Sequence, residues 1–295
     1  MRSEEEVHDF VHRIATFFAT LLLTAGTIWY FFQFKELCID DAGISFVYAR
    51  NLASGYGLVF HPSMIPVEGY SNPLWVLILS LFYALGFTNL VIVSKILSAL
   101  FLLAAGYLCL YICIEKGLPR LLFALIWLNP YFHYWGASGM ENALFSLLFV
   151  LLLCNSVKRS SIVAQIVCVL FTLARPEGLF YGLLALLTTE KPWRVFKTWL
   201  AAVLVLTGFR LIVFHDVLPN TLWAKAGLIH STDPWLNMKA GWRYWLVFFK
   251  DSYSFAYLGV LLFFYVLWKQ QWLASCILLF HLLFLLCCGG DWMSF

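Results

Sequence analysis

"IATFFATLLLTAGTIWYFFQFKELCIDD" (residues 14–41) decides the fold. The 21 residues from Ile14 to Phe34 carry no charge. At roughly 1.5 Å per residue they are long enough to cross about 30 Å of hydrocarbon. The run is too long for the apolar core of a signal peptide. The preceding residues mix Arg2, His8, His12 and Arg13 with Glu4, Glu5, Glu6 and Asp9, which is not a signal-peptide start either. The run therefore reads as a retained first membrane helix, with residues 1–13 as a cytoplasmic segment. Soon after it the chain sets two carboxylates side by side, Asp40 and Asp41.

The remaining sequence is equally apolar. Of its 295 residues 62% are hydrophobic, 19% aromatic and only 12% charged, where a soluble domain carries about a quarter charged. The 28 Phe and 13 Trp exceed what one water-soluble core would hold. A net charge of +3, with no basic cluster outside the apolar runs, excludes nucleic acid as a partner. The eight cysteines form no metal-binding or redox spacing and read as small buried hydrophobes.

Further apolar segments fall at 73–87, 91–114, 120–138, 142–157, 161–174, 177–189, 195–214, 252–268 and 270–288. The expected fold is an all-α, polytopic transmembrane helical bundle of about ten membrane segments. The membrane domain extends over 14–288, with two long polar stretches, 35–72 and 215–251, read as outer loops. In compact membrane proteins such loops carry function. Residues 289–295 read as an outer-face stub of an interrupted motif.

Lys and Arg near span ends mark the cytoplasmic side. By that rule "VKRSS" (157–161), "EKPWRVFK" (190–197) and "WKQQ" (268–271) are cytoplasmic. "SGMEN" (138–142), "ARPEG" (174–178), "LPNTLWAKAG" (218–227) and "GGDWM" (289–293) then lie outside. The basic loop "EKGLPR" (115–120) fits only if segment 73–87 does not cross; otherwise it breaks the rule. At 15 residues that segment is short for a crossing, and a re-entrant path packed against protein is the alternative.

The ionisable groups at the outer ends are Asp40, Asp41, Arg50, Glu68, Glu141, Arg175, Glu177, Lys225 and Asp291. Charges at membrane depth are costly and mark paths or sites. A mixed acid–base cluster suits an anionic lipid headgroup together with a reaction that needs a base. Each also has a purely structural reading. Asp40 and Asp41 would favour the start of a helix over "AGISFVYARNLASG", and Glu141 the first turn of the next long one. Arg175 and Glu177 would pair across Pro176, Lys225 would snorkel to the interface, and Asp291 would sit in a glycine turn. No catalytic triad, P-loop or dinucleotide fingerprint occurs.

The order of these stretches is more specific than any one of them. "DDAGISFVYARNLASGYGLVF", "VEGYSNPLW" (67–75), "SGMENALF" (138–145), "ARPEG", "LPNTLWAKAG" and "GGDWM" follow one another. In this the chain resembles the polyprenyl-phosphate-dependent, multi-span glycosyltransferases of the GT-C superfamily. The branch it most resembles is that of the terminal β-(1→2)-arabinofuranosyltransferases of cell-wall assembly and their bacterial relatives.

The resemblance implies an integral-membrane enzyme on the outer face of a bacterial inner membrane. It would transfer one sugar from a polyprenyl-phosphate donor to a glycan, lipid or protein acceptor. Asp40 or Asp41 would be the general base. Lys225 and Arg175, with Asn220 and Thr221 as neutral donors, would receive the departing phosphate. Glu68, Tyr70, Asn72, Glu141, Glu177 and Asp291 complete the expected substrate-binding set, and Trp75 and Trp135 would offer flat surfaces to a sugar ring or isoprenoid. No cofactor is expected; Asp40, Asp41 and Glu141 are the oxygen ligands a divalent metal would use. Relatives continue past "GGDWM", so the alternative expectation is a truncated, non-catalytic remnant, or half of a split enzyme whose second chain supplies the missing helices.

Overall fold

The computed structural model describes residues 4–217 and 234–251, together with Leu279 and Leu283. It is all-helical, with no strand among the described residues. The chain divides into two compact units, one formed by Met1–Gly57 and Asn72–Lys158, the other by Leu58–Ser71 and Arg159–Phe295.

The first unit contains α1 (Glu4–Gln33), α2 (Asp40–Ala53), α3 (Pro73–Ala84), α4 (Leu90–Glu115), α5 (Arg120–Trp127), α6 (Pro130–Gly136) and α7 (Asn142–Lys158). The expected first span is the continuous core of α1, which also takes in most of the preceding polar segment. α4 runs antiparallel to it. Lys95, near the start of α4, reaches the carbonyls of Phe34 and Leu37 just past α1. Midway, Tyr107 pairs with Thr24, and further down Leu110 clusters with Ala19. The two helices approach closely because residue 106 is glycine: a Cβ there would lie 2.8 Å from Leu23 Cδ1.

α5 and α6 follow α1 in its own direction. Arg120 bonds to His12 and Thr16 at one end, Trp127 to Thr27 midway, and Tyr134 meets Phe34 edge-on at the other. Segment 120–138 is thus two helices rather than one. Pro130 lacks an N–H and disfavours helical backbone at Asn129, so the helix stops and restarts there. The backbone groups freed at this break find partners, as an apolar environment demands. Asn129 Oδ1 accepts from Tyr131 N at 2.9 Å, and Tyr30 donates its hydroxyl to Leu128 O at 2.9 Å. Buried His133 pairs through one ring nitrogen with Asn129 O and through the other with Thr27 Oγ1.

α7 then returns beside α4 in the same direction, with Cys154 on Leu108 O and the Lys158 ammonium 5.3 Å from the Tyr111 ring centre. These directions gather Arg13, Lys116, Arg120 and Lys158 at one end of the unit. The opposite end holds Asp40, Asp41 and Glu141.

α3 settles the path of segment 73–87. Its start, at Asn72, lies beside Glu141 at the acidic end. Its last residues turn directly into Leu90, one helical turn before Lys95, at the same end. α3 therefore begins and ends at the same end of the unit. This returns "EKGLPR" to the end that carries the N-terminal arginine, as the distribution of basic residues requires.

Three helices are long and apolar enough to cross a membrane: Phe10–Gln33, Leu90–Glu115 and Pro192–Phe214. The expectation of about ten segments is not supported. Besides the short α3 and the broken 120–138, 142–157 and 161–174 form shorter apolar helices. Segment 177–189 divides into a six-residue helix and a 3-10 turn. Segments 252–268 and 270–288 fall outside the described residues apart from Leu279 and Leu283, as does the stub 289–295.

The second unit contains α8 (Ser161–Ala174), α9 (Gly178–Leu183), the 3-10 turn Leu184–Thr188, α10 (Pro192–Phe214) and α11 (Pro234–Asp251). α10 is pinned to its neighbours by Thr198 donating to Gln165 Oε1 and Trp199 Nε1 donating to Leu179 O. Gly178 is required where the chain folds back on α8, since a Cβ there would lie 1.9 Å from Phe171 O. Stretch 215–251, expected as a loop, carries α11.

Single cysteines introduced at Glu36, Leu85 and Lys116 in a cysteine-free background test these directions. A membrane-impermeant maleimide is expected to reach positions 36 and 85 from one side and 116 from the other. Labelling of 85 and 116 from the same side would contradict the path of α3.

Candidate functional site

Three sequence-distant stretches meet at the acidic end of the first unit. The Lys95 ammonium holds them: it donates to Phe34 O at 2.9 Å, Leu37 O at 2.5 Å and Ala137 O at 3.3 Å. Ile39 N then donates to Ser138 O at 3.1 Å, tying the chain just before the aspartates to "SGMEN". Trp75 Nε1 donates to Gly139 O at 3.0 Å, adding the start of α3.

Beneath these backbone ties lies a buried polar chain. Ser45 donates to Asn72 Oδ1 at 3.0 Å, and Asn72 Nδ2 donates to Glu141 Oε2 at 2.5 Å. All three residues are buried. Asn72 is the N-cap residue of α3, which begins at Pro73, a residue suited to that position. Glu141 immediately precedes α7, and its carbonyl accepts from Phe145 N. It is thus the capping residue, one position before the expected first turn, and its carboxylate turns inward to Asn72.

Asp40 and Asp41 occupy the first turn of α2, where the helix dipole favours negative charge. Asp40 Oδ1 accepts from Asp41 N at 3.0 Å. Both residues are exposed, and neither carboxylate meets a basic side chain among the described residues. Around them the other candidates of this unit are closed off: Asn72 is 4% and Glu141 1% exposed. Trp75 is completely buried and presents no free face to a sugar ring. Trp135 is half-buried, its carbonyl taking bonds from Ser138 Oγ and Asn142 Nδ2. The structure thus brings Asp40, Asp41, Asn72 and Glu141 together, with the aspartates alone open to solvent among those four.

The second unit holds a different set. Glu68 and Arg210 form a two-pronged ion pair, Nε to Oε2 at 2.8 Å and Nη2 to Oε1 at 3.1 Å, with both side chains buried. Burial pushes the Glu68 pKa upward against the pull of Arg210, and the Asp216 charge acts in the same upward direction. Tyr70 packs edge-on against Phe214. Arg175 and Glu177 pair at 2.5 Å across Pro176, the structural arrangement weighed for them from the sequence. An arginine so engaged is less available to a phosphate. Asn220, Thr221, Lys225 and Asp291 lie outside the described residues. No group of three metal-ligating His, Cys, Asp or Glu side chains occurs among the described residues.

Sequence reading missed Lys95 and Arg210. Each is a cation within an apolar helix, and that was the available signal: a charge at membrane depth needs a partner. No protein-family model, curated protein or solved structure matches the chain.

The buried pair permits a specific test. Arg210→Met is expected to cost about 3–5 kcal/mol by leaving the Glu68 carboxylate buried alone. Glu68→Gln combined with Arg210→Met is expected to recover part of that loss, read as the melting temperature of the purified protein in detergent. A double variant as unstable as the sum of the singles would show that the two side chains do not interact.

Proposed function

We propose that the chain is an integral-membrane glycosyltransferase of the GT-C type, taking a sugar from a polyprenyl-phosphate donor on the outer face of a bacterial inner membrane. The observation that carries this reading is the convergence of "CIDDAGIS", "SNPLW" and "SGMEN" around Lys95 and the Ser45–Asn72–Glu141 chain. The same stretches, in the same order, carry the resemblance in the sequence. Burying a hydrogen-bonded network of this kind fixes the backbone on which two exposed carboxylates stand.

In this reading Asp40 or Asp41 accepts the proton of an acceptor hydroxyl. The oxygen attacks the anomeric carbon, the bond from that carbon to the phosphate oxygen breaks, and the polyprenyl phosphate departs with the electron pair. Glu141 and Asn72 act as positioning residues beneath the pair. The donors expected from the sequence for the leaving phosphate, Lys225, Asn220 and Thr221, lie outside the described residues. The acceptor is a cell-envelope glycan, lipid or protein, and no metal is required by the reaction as written.

The second reading is a non-catalytic remnant, or one half of a split enzyme, that retains the fold and serves as a scaffold. The two are separated by Asp40→Asn and Asp41→Asn, made singly and assayed with lipid-linked sugar donors. Loss of the acting base is expected to lower transfer by roughly 100-fold or more in one variant, with the melting temperature nearly unchanged. Full activity in both would remove the aspartates from the chemistry. Absence of transfer by the parent chain with every donor would favour the scaffold.

A further inference from the structure

Helix α11 is apolar along much of its length, yet it is not among the helices suited to cross a membrane. Lys239 and Arg243 stand one turn apart near its middle, and no acidic residue occurs between Trp235 and Val247. Neither cation has a hydrogen bond or ion pair among the described residues.

The helix has two unlike sides. Gly241 is buried and Ala240, Tyr244 and Trp245 are half-buried, so this side lies against protein. The other side is open. Trp235 (70% exposed), Met238, Trp242 (61% exposed) and Leu246 fall at i, i+3, i+7 and i+11. At 100° and 1.5 Å per residue they form a stripe about 80° wide and about 17 Å long. Lys239 and Arg243 lie immediately beside that stripe, and exposed Leu236 and Val247 follow on their far side. The two cations therefore rise from an apolar surface.

The chain order gives the side of the membrane. α10, which is long and apolar enough to cross, begins at the basic stretch Lys191, Arg194 and Lys197. Residues 215–233 include His215, Asp216, Lys225, His230 and Asp233, with no apolar run long enough to cross back. α11 thus follows on the side where α10 ends, away from the basic stretch.

We propose that α11 lies flat along the membrane surface on that side and binds anionic phospholipid there. Trp235, Met238, Trp242 and Leu246 seat at the boundary of headgroups and acyl chains, and Lys239 and Arg243 extend to the phosphates. The chemistry of the face selects this occupant. Unpaired cations set in an apolar surface match phosphate anions lying over hydrocarbon, and tryptophan favours that depth. Were the helix to cross instead, both cations would sit near the bilayer centre without a partner. This inference rests on α11 and on the crossing of α10, and it stands whether or not the aspartates catalyse sugar transfer.

The test uses the full chain, cysteine-free apart from Trp242→Cys, carrying an NBD fluorophore at that position. It is reconstituted in vesicles of phosphatidylcholine, with or without phosphatidylglycerol. A lipid nitroxide near the headgroup end of the acyl chain is expected to quench the label more strongly than one near the chain terminus, and aqueous iodide only weakly. Phosphatidylglycerol should raise the ratio of membrane-seated to water-exposed label. Lys239→Gln and Arg243→Gln should each lower that ratio roughly five-fold, and Lys35→Gln, an exposed charge in the first unit, should leave it unchanged. Every substituted side chain is exposed, so the melting temperatures are expected to stay near that of the parent chain. Stronger quenching by the deep nitroxide would make α11 a crossing helix, and quenching by iodide alone would place this face in water. Protection from every quencher would mean that another part of the chain, or a second copy, covers it. Each of these overturns the proposal, as does a label indifferent to phosphatidylglycerol.

Discussion

One lysine organises the end of the molecule where the candidate chemistry lies. Lys95 is the lone cation in a 26-residue apolar helix whose other charge, Glu115, stands at its last position, and an ammonium there must be satisfied by protein. It finds three carbonyls: one just past α1, one in the turn before α2, and one just past α6. Hydrogen bonds to a charged donor contribute about 1.5–3 kcal/mol each. Here they also set positions. The chain leading into Asp40 and the chain leading into Glu141 are both tied to the same side chain. The Ile39–Ser138 bond and the Asn72–Glu141 contact follow from that placement.

The acidic and basic ends of the first unit divide its tasks. At the basic end, Arg120 clamps the start of α5 to α1, and lysines close the helices α4 and α7. At the acidic end the polar groups lie beneath backbone turns, and two carboxylates stand in the open. Between them the helix break at Asn129–Pro130 is bridged to α1 by Tyr30, Thr27 and His133, so irregular backbone finds hydrogen-bond partners within the protein. Bridging the break keeps 120–136 tracking α1 despite the proline, and so delivers Ala137 and Ser138 to Lys95.

Much of this was legible in the sequence. The uncharged Ile14–Phe34 run, the helix after Asp40 and the proximity of "SGMEN" to the aspartates were all expected. The excess was in counting spans. Hydropathy measures how apolar a stretch is, but not whether it runs unbroken, so the pair α5–α6 read as one full helix, whereas the 15-residue length of 73–87 already marked α3 as short for a crossing. The candidate site was legible in its residue types and not in their exposure. Glu141, Asn72 and Trp75 were placed with the substrate because polar and aromatic residues there suggest contact with a ligand. In the structure all three are buried, Asn72 bonding to Glu141 and Trp75 to the Gly139 carbonyl. The partners that decide this, Ser45 and the Gly139 carbonyl, carry no sequence signal. Lys95 and Arg210 did, as cations within apolar runs that require a partner, though the sequence does not say which partner.

The central claim is that a lipid-linked sugar meets this chain at the acidic end, beside Asp40 and Asp41. Photo-crosslinking with a polyprenyl-phosphate sugar bearing a diazirine on the sugar, followed by peptide mapping, tests it most directly. Crosslinks are expected within 38–45 or 138–142, and competition with unlabelled donor should abolish them. Crosslinks confined to the basic end, around 12–20 and 116–120, or unaffected by competing donor, would contradict the account.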